Sequence, residues 1–229
     1  GSTFVDLCLK IEIVMARLPF ITFEGSEGCG KSTQVQSLAK RLTAAGISFL
    51  ITREPGGTPI GETIRELLQF APQSAAMTPE TEVLLFEASR AQLVRELIQP
   101  ALKRGECVIA DRFFDSTSVY QGVARKLDPK MVRELNAFAV DDCVPDVTFV
   151  LDVDLETARA RMKGPRRPDR LEMQPDDFYQ RVIEGYRDLA KRESKRIVLI
   201  DGRKSPEEIE AEIWRILSGR FPSLAKANI

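Results

Sequence analysis

The sequence predicts an α/β fold, a five-stranded parallel sheet flanked by helices. Three observations predict it. Five short apolar runs, at 20–23, 48–52, 107–110, 147–151 and 197–200, read as strands buried on both faces. Helix-compatible stretches separate them along the whole chain, as in a doubly wound sheet. The first run leads through a glycine-rich turn directly into a helical segment.

That turn comes first in order. It reads Gly25-Ser26-Glu27-Gly28-Cys29-Gly30-Lys31-Ser32-Thr33 and fits the phosphate-loop pattern G-x-x-x-x-G-K-[ST]. Strand, turn and helix together aim backbone N–H groups and a helix N-terminus at one point. Lys31 adds a full charge there, and the Ser32 hydroxyl can sit on Mg²⁺. Residues Gly25 to Thr33 are therefore expected to hold a nucleoside triphosphate within a P-loop NTPase fold. An ordinary glycine turn would leave Lys31 without a task.

Helices are expected at 32–45, 61–69, 79–103, 129–141, 155–162, 175–191 and 206–217. Pro79, Pro129, Pro175 and Pro206 stand where a first-turn proline is tolerated. Ligands of doubly wound sheets gather at the carboxyl ends of the strands. Those ends carry Glu24-Gly25, Arg53-Glu54, Asp111-Arg112, Asp152 and Asp201, although Asp201 reads as a plain polar loop residue. Asp111 ends the third strand, where a carboxylate can hold Mg²⁺ through water. Residues 161–170, basic and broken by prolines, read as an exposed loop between two helices.

Composition narrows the functions. At 229 residues the chain fits one large domain with inserted mobile segments, and 43% hydrophobic residues suffice for a core. A net charge of −1 gives no support for a nucleic-acid partner. The absence of His removes His acid–base catalysis, Ser-His triads and His-ligated metals. Cys8, Cys29, Cys107 and Cys143 match no zinc or redox spacing and read as free thiols of a cytoplasmic protein. No apolar stretch is long enough to span a bilayer, so no membrane partner is expected. Gly1-Ser2 reads as the scar of a cleaved tag, residues 1–14 as an extension, and 15–229 as the domain, with Met15 a candidate native start.

A phosphate loop alone does not choose among kinases, GTPases and motor ATPases. The only asparagines are Asn136 and Asn228, and neither lies in an Asn-Lys-x-Asp guanine-reading element. Three further segments carry more. They are Thr52-Arg53-Glu54-Pro55-Gly56-Gly57-Thr58, Phe86-Glu87-Ala88-Ser89-Arg90, and Asp111-Arg112 followed by Tyr120-Gln121-Gly122. Together with the loop and a basic segment ending in Asp169-Arg170-Leu171-Glu172, these resemble thymidylate kinases, nucleoside monophosphate kinases that convert dTMP to dTDP with ATP for dTTP synthesis.

The resemblance implies a role for each residue. Arg53 would lie near the dTMP phosphate, and its planar fork suits one. Phe86 would stack on thymine and Arg90, four residues on along one helix face, would donate to it. From periodicity alone, Phe86 reads as core and Arg90 as surface. Arg112 would bridge donor and acceptor phosphates. Thr117 would lie near the pyrimidine N3, Tyr120 against the sugar face that would carry a 2′-hydroxyl, and Gln121 beside them; taken alone, Thr117 and Tyr120 read as helix packing. Glu27 would lie near the 3′-hydroxyl and magnesium. The phosphate loop carries no arginine, which resembles bacterial members that place it in a short mobile lid, here about 161–172 with Arg161, Arg166, Arg167 and Arg170. Arg166 or Arg167 is expected on the donor phosphates. A homodimer is expected by analogy. The alternatives are a deoxynucleoside kinase, which needs a base and fewer acceptor-side arginines, and a non-catalytic ATP-binding interaction module.

Overall fold

The computed structural model describes residues 17–162 and 168–225. Strands β1 (Phe20–Glu24), β2 (Phe49–Arg53), β3 (Cys107–Asp111), β4 (Val147–Asp152) and β5 (Ile197–Asp201) form one parallel sheet in the order β2-β3-β1-β4-β5. The five expected strands are all present. Each runs one residue further than its apolar stretch, so the charged residues expected in the rim are themselves the last strand residues. Register sets Arg53 opposite Asp111, and Asp111 opposite Phe23. The switch point between β1 and β3 thereby puts the phosphate loop, Asp111 and Arg53 side by side.

Alternation along the strands divides the core into two layers. Ile21, Phe23, Ile109, Phe149 and Leu151 face helices α1 (Lys31–Ala44) and α9 (Pro206–Arg220), which bury Leu38, Leu42, Ile213 and Leu217 against them. Phe20, Val108 and Ala110 face the other way, onto Leu93, Val94 and Ile98. Val150 and Ile197 meet Tyr179, Val182 and Tyr186 of α8 (Asp176–Arg192).

The expected helix at 79–103 is one continuous rod with a wide turn in it. Helix α3 (Pro79–Leu93) passes through a π turn, Val94–Ile98, into α4 (Gln99–Lys103). Pro100 has no N–H to donate, and its ring would crowd the carbonyl of Glu96 in a regular α-helix. A wider turn relieves both. Helix α2 (Pro59–Gln69) begins two residues earlier than expected. The Thr58 hydroxyl accepts from Gly61 N and fixes Pro59 as the first helical residue.

Helix α5 (Phe114–Thr117), continued by a π turn over Ser118–Ala124, is absent from the helices expected above, although Thr117 and Tyr120 taken alone read as helix packing. Its Ser/Thr content and Gly122 hide the helical period, yet burial of Thr117, Tyr120, Gln121 and Ala124 holds it in place. Helix α6 (Pro129–Val140) lies as expected. So does α7 (Leu155–Met162), which carries the helix into the first residues of the expected lid. A last short helix, α10 (Pro222–Ala225), follows α9.

Candidate active site

A cleft of about 340 Å³ opens over the carboxyl ends of β1, β2 and β3. Its wall includes Glu27, Gly28, Lys31, Ser32, Arg53, Phe86, Asp111, Arg112, Thr117, Tyr120 and Gln121, all singled out in the sequence.

The phosphate loop supplies one end. Gly30 occupies the left-handed region at φ 101°, which lets the chain turn sharply into α1. Lys31 is buried, and its Nζ donates to the carbonyls of Ser26 at 2.8 Å and Gly25 at 3.3 Å. The loop's own carbonyls thus hold the ammonium where phosphate oxygens would. Ser26 Oγ is buried with no hydrogen-bond partner within the protein. Ser32 Oγ donates to Asp111 Oδ2 at 2.7 Å. No cluster of three or more Asp, Glu, His or Cys that could hold a metal occurs among the described residues. Two protein oxygens beside a phosphate site nonetheless fit Mg²⁺, which keeps several waters and takes few protein ligands.

Arg112 and Glu27 form the centre. Arg112 sits at φ 72°, unusual for a side-chain-bearing residue, with its N–H held by Phe23 O. That backbone turn sends the guanidinium back over the phosphate loop. One arm donates to Gly25 O and Ser116 Oγ, the other to Glu27 Oε1 at 2.8 Å. Tyr120 OH donates to the second Glu27 oxygen at 2.6 Å. Burial pushes the Glu27 carboxyl up, but Arg112, Lys31 and Tyr120 outweigh it and hold the group below its ordinary range. Beneath, Glu24 is fully buried and accepts from Phe113 N, Ser116 Oγ and Tyr186 OH. Burial, reinforced by Asp115, raises its pKa.

Arg53 lines the cleft with one arm resting on both oxygens of Glu62, which also accepts from Gly57 N. Phe86 lines the far wall, half-buried rather than core. Arg90 is placed differently from the surface reading that periodicity suggests. It is 1% exposed and does not line the cleft. Its donors all have partners: Glu54, Glu87, Asn136 and Thr117. Thr117 accepts from Arg90, which leaves the Thr117 hydroxyl hydrogen for the cleft. Gly25, Ser26, Cys29, Gly30 and Thr33 lie outside the lining, within or behind the loop.

Of the expected lid arginines, Arg166 and Arg167 lie outside the described residues. Arg161 donates to Gly202 O, and Arg170 pairs with Glu82 at 2.6 Å. Residues 1–16, with Gly1-Ser2 expected as a tag scar and with Met15, also lie outside the described residues. Cys29, Cys107 and Cys143 are buried free thiols, as expected. No helix among the described residues is long and apolar enough to cross a membrane.

Sequence reasoning missed several residues of the site. Arg65 of α2 lines the cleft beside Arg53, and burial together with that neighbouring charge lowers its pKa. Arg65 and Gln69 are four apart and share the cleft face, a spacing visible in the sequence. Asp169 and Glu172 also line the cleft; Asp169 Oδ1 accepts from Leu171 N and Glu172 N, and Glu172 Oε2 accepts from Asp169 N. Tyr186, far along the chain, carried no local signal.

The comparisons with known proteins agree with this geometry. A family model described as "Thymidylate kinase" matches residues 23–213. The thymidylate kinase of Halothermothrix orenii is 48% identical over 203 residues, covering 87% of this chain and 96% of that protein. That of Carboxydothermus hydrogenoformans is 48% identical over 200 residues, covering 87% and 97%. The crystal structure of thymidylate kinase from Ehrlichia chaffeensis superposes with a TM-score of 0.72 at 34% identity, over 88% of this chain and 99% of that one. A phosphate loop set against an arginine-rich cleft, in a chain alike over nearly its whole folded length, places this protein in the thymidylate kinase family.

Proposed function

We propose a division of labour among these residues for the reaction of the family, in which the γ-phosphoryl group of ATP passes to a phosphate oxygen of dTMP. The observation that carries it is one cleft lined by Lys31, Arg53, Arg65 and Arg112, with an aromatic ring at its far wall. Two phosphorylated nucleotides bring roughly six negative charges together. Cations from separate segments are what such a meeting requires, and catalysis is then mostly positioning and electrostatics.

On the donor side, the N–H groups of the phosphate loop and Lys31 take the ATP phosphates. Ser32 and Asp111 would hold Mg²⁺, which when bound draws charge from the transferring group. Arg166 or Arg167, both outside the described residues, would meet the same phosphates. On the acceptor side, Arg53 and Arg65 take the dTMP phosphate, and Arg112 stands between the two. Glu27, locked by Arg112 and Tyr120, faces the sugar. Phe86 stacks on the base, with Thr117 and Gln121 at its edge and Arg90 behind Thr117. The acceptor phosphate is ionised at neutral pH, so the chemistry proceeds without a His base. The apolar residues Leu84, Phe138 and Val144, exposed on or next to α3 and α6, support a homodimer. Buried free thiols support a cytoplasmic setting.

A coupled assay of ADP release with dTMP, with thymidine and with no acceptor tests this reading. Turnover with dTMP alone is expected. Turnover with thymidine would make the chain a deoxynucleoside kinase, and acceptor-independent binding without turnover would make it an interaction module.

A further inference from the structure

Glu82 sits on α3 one turn before Phe86 and is 1% exposed. Side chains from two other segments converge on its carboxylate. Gln121 Nε2 donates to Oε1 at 2.8 Å, and Arg125 Nε reaches the same oxygen at 3.1 Å. Arg125 and Arg170 reach Oε2 at 3.1 and 2.6 Å. Arg170 lies at the C-terminal root of the lid and also binds the end of α2, through Leu68 O and Gln69 O. Burial pushes the carboxyl up, but Arg125, Gln121 and Arg170 outweigh it and hold the pKa below the ordinary value. At neutral pH the group is a carboxylate and can only accept.

We propose that Glu82 is a positioning residue for base recognition: it turns the Gln121 carboxamide so that the carbonyl faces the nucleotide cleft. A carboxylate cannot donate, so the Gln121 NH₂ must face it. Oε1 is then the amide atom left for the cleft, which Gln121 lines, and no described residue donates to it. An acceptor there suits a ring N–H. Thymine carries one at N3. Cytosine presents a lone pair at N3 instead, which would meet the Gln121 oxygen without a proton between them. A site built to pair with a donor rejects an analogue that lacks it. The proposal rests on the reading of this cleft as the dTMP site.

The test compares kcat and KM for dTMP and dCMP, and KM for ATP, in Glu82→Gln, Gln121→Met and the double variant. A glutamine at 82 both donates and accepts, so it no longer dictates the Gln121 orientation. Glu82→Gln is expected to raise the KM for dTMP about tenfold with little change in kcat, and to cut the preference for dTMP over dCMP by a similar factor. The KM for ATP should hold. Gln121→Met removes the carbonyl while keeping the shape, so it should lose the same preference even if Glu82→Gln does not fold. The double variant should be no worse than Gln121→Met. A lower melting temperature with the dTMP preference intact in Glu82→Gln would reduce Glu82 to a structural ion pair and overturn the proposal. An unchanged KM for dTMP in Gln121→Met would instead remove the cleft assignment beneath it.

Discussion

Arg90 shows how one side chain can brace a cleft from behind its wall. Two carboxylates, Glu54 and Glu87, share its guanidinium out of water. Removing one member of such a group leaves charge buried without a partner, at about 3–5 kcal/mol. Arg90→Ala should therefore lose stability of that order in chemical denaturation, and raise the KM for dTMP far more than that for ATP, because Thr117 loses its donor. Equal effects on both constants would undo its assignment to the base side. Glu54 adds a pH signature. Burial pushes its pKa from 4.5 up to about 7 against the pull of Arg90, with Glu87 adding to the rise. As pH rises, the unfolded chain releases this proton first. Stability from the group is therefore full below 4.5 and is lost as pH passes through about 7. Glu54→Gln should flatten that part of the stability profile, read by denaturation at about pH 5 and about pH 8. The spacing of Phe86 and Arg90 showed that they share a helix face. It could not show that Glu54, 36 positions away, draws Arg90 inward.

At the level of elements, function depends on how helices begin and bend. Helix α2 carries Arg65 to the cleft and Glu62 to Arg53, and the Thr58 hydroxyl caps it. Thr58→Ala should cost about 1 kcal/mol of stability. It should also raise the KM for dTMP, since the first turn then frays beneath Arg53 and Arg65; an unchanged KM would free those arginines from dependence on the cap. Strands and most helices were legible because period and punctuation are local. The segment from Phe114 to Ala124 was not, because its helix is held by Tyr186, Phe178 and Glu82, all distant in sequence. The wide turn before Pro100 was equally hidden, since a proline inside a helix can as well end it.

Across the whole molecule, the parallel sheet gathers its charged strand ends at one edge, and the sequence announced this through the phosphate loop and the residue after each apolar run. What it did not announce is which cations remain for substrate once the protein's own carboxylates are satisfied. Arg170 reads as a lid arginine, yet it is bound to Glu82. The same scale holds the expected assembly. Phe138 is 79% exposed on α6. Phe138→Glu should shift the protein toward monomer in sedimentation at micromolar concentration. A wild-type protein that is already monomeric would remove that surface from consideration as an interface.

Gly28 is where the phosphate loop touches α7. Its φ is 74°, and a Cβ there would come within 2.6 Å of the Ala158 carbonyl on α7. Helix α7 therefore rests directly on the phosphate loop, backbone against backbone. A single methyl group would act as a wedge between them. Glycine at this position is what lets α7 pack on the bare main chain of the phosphate loop.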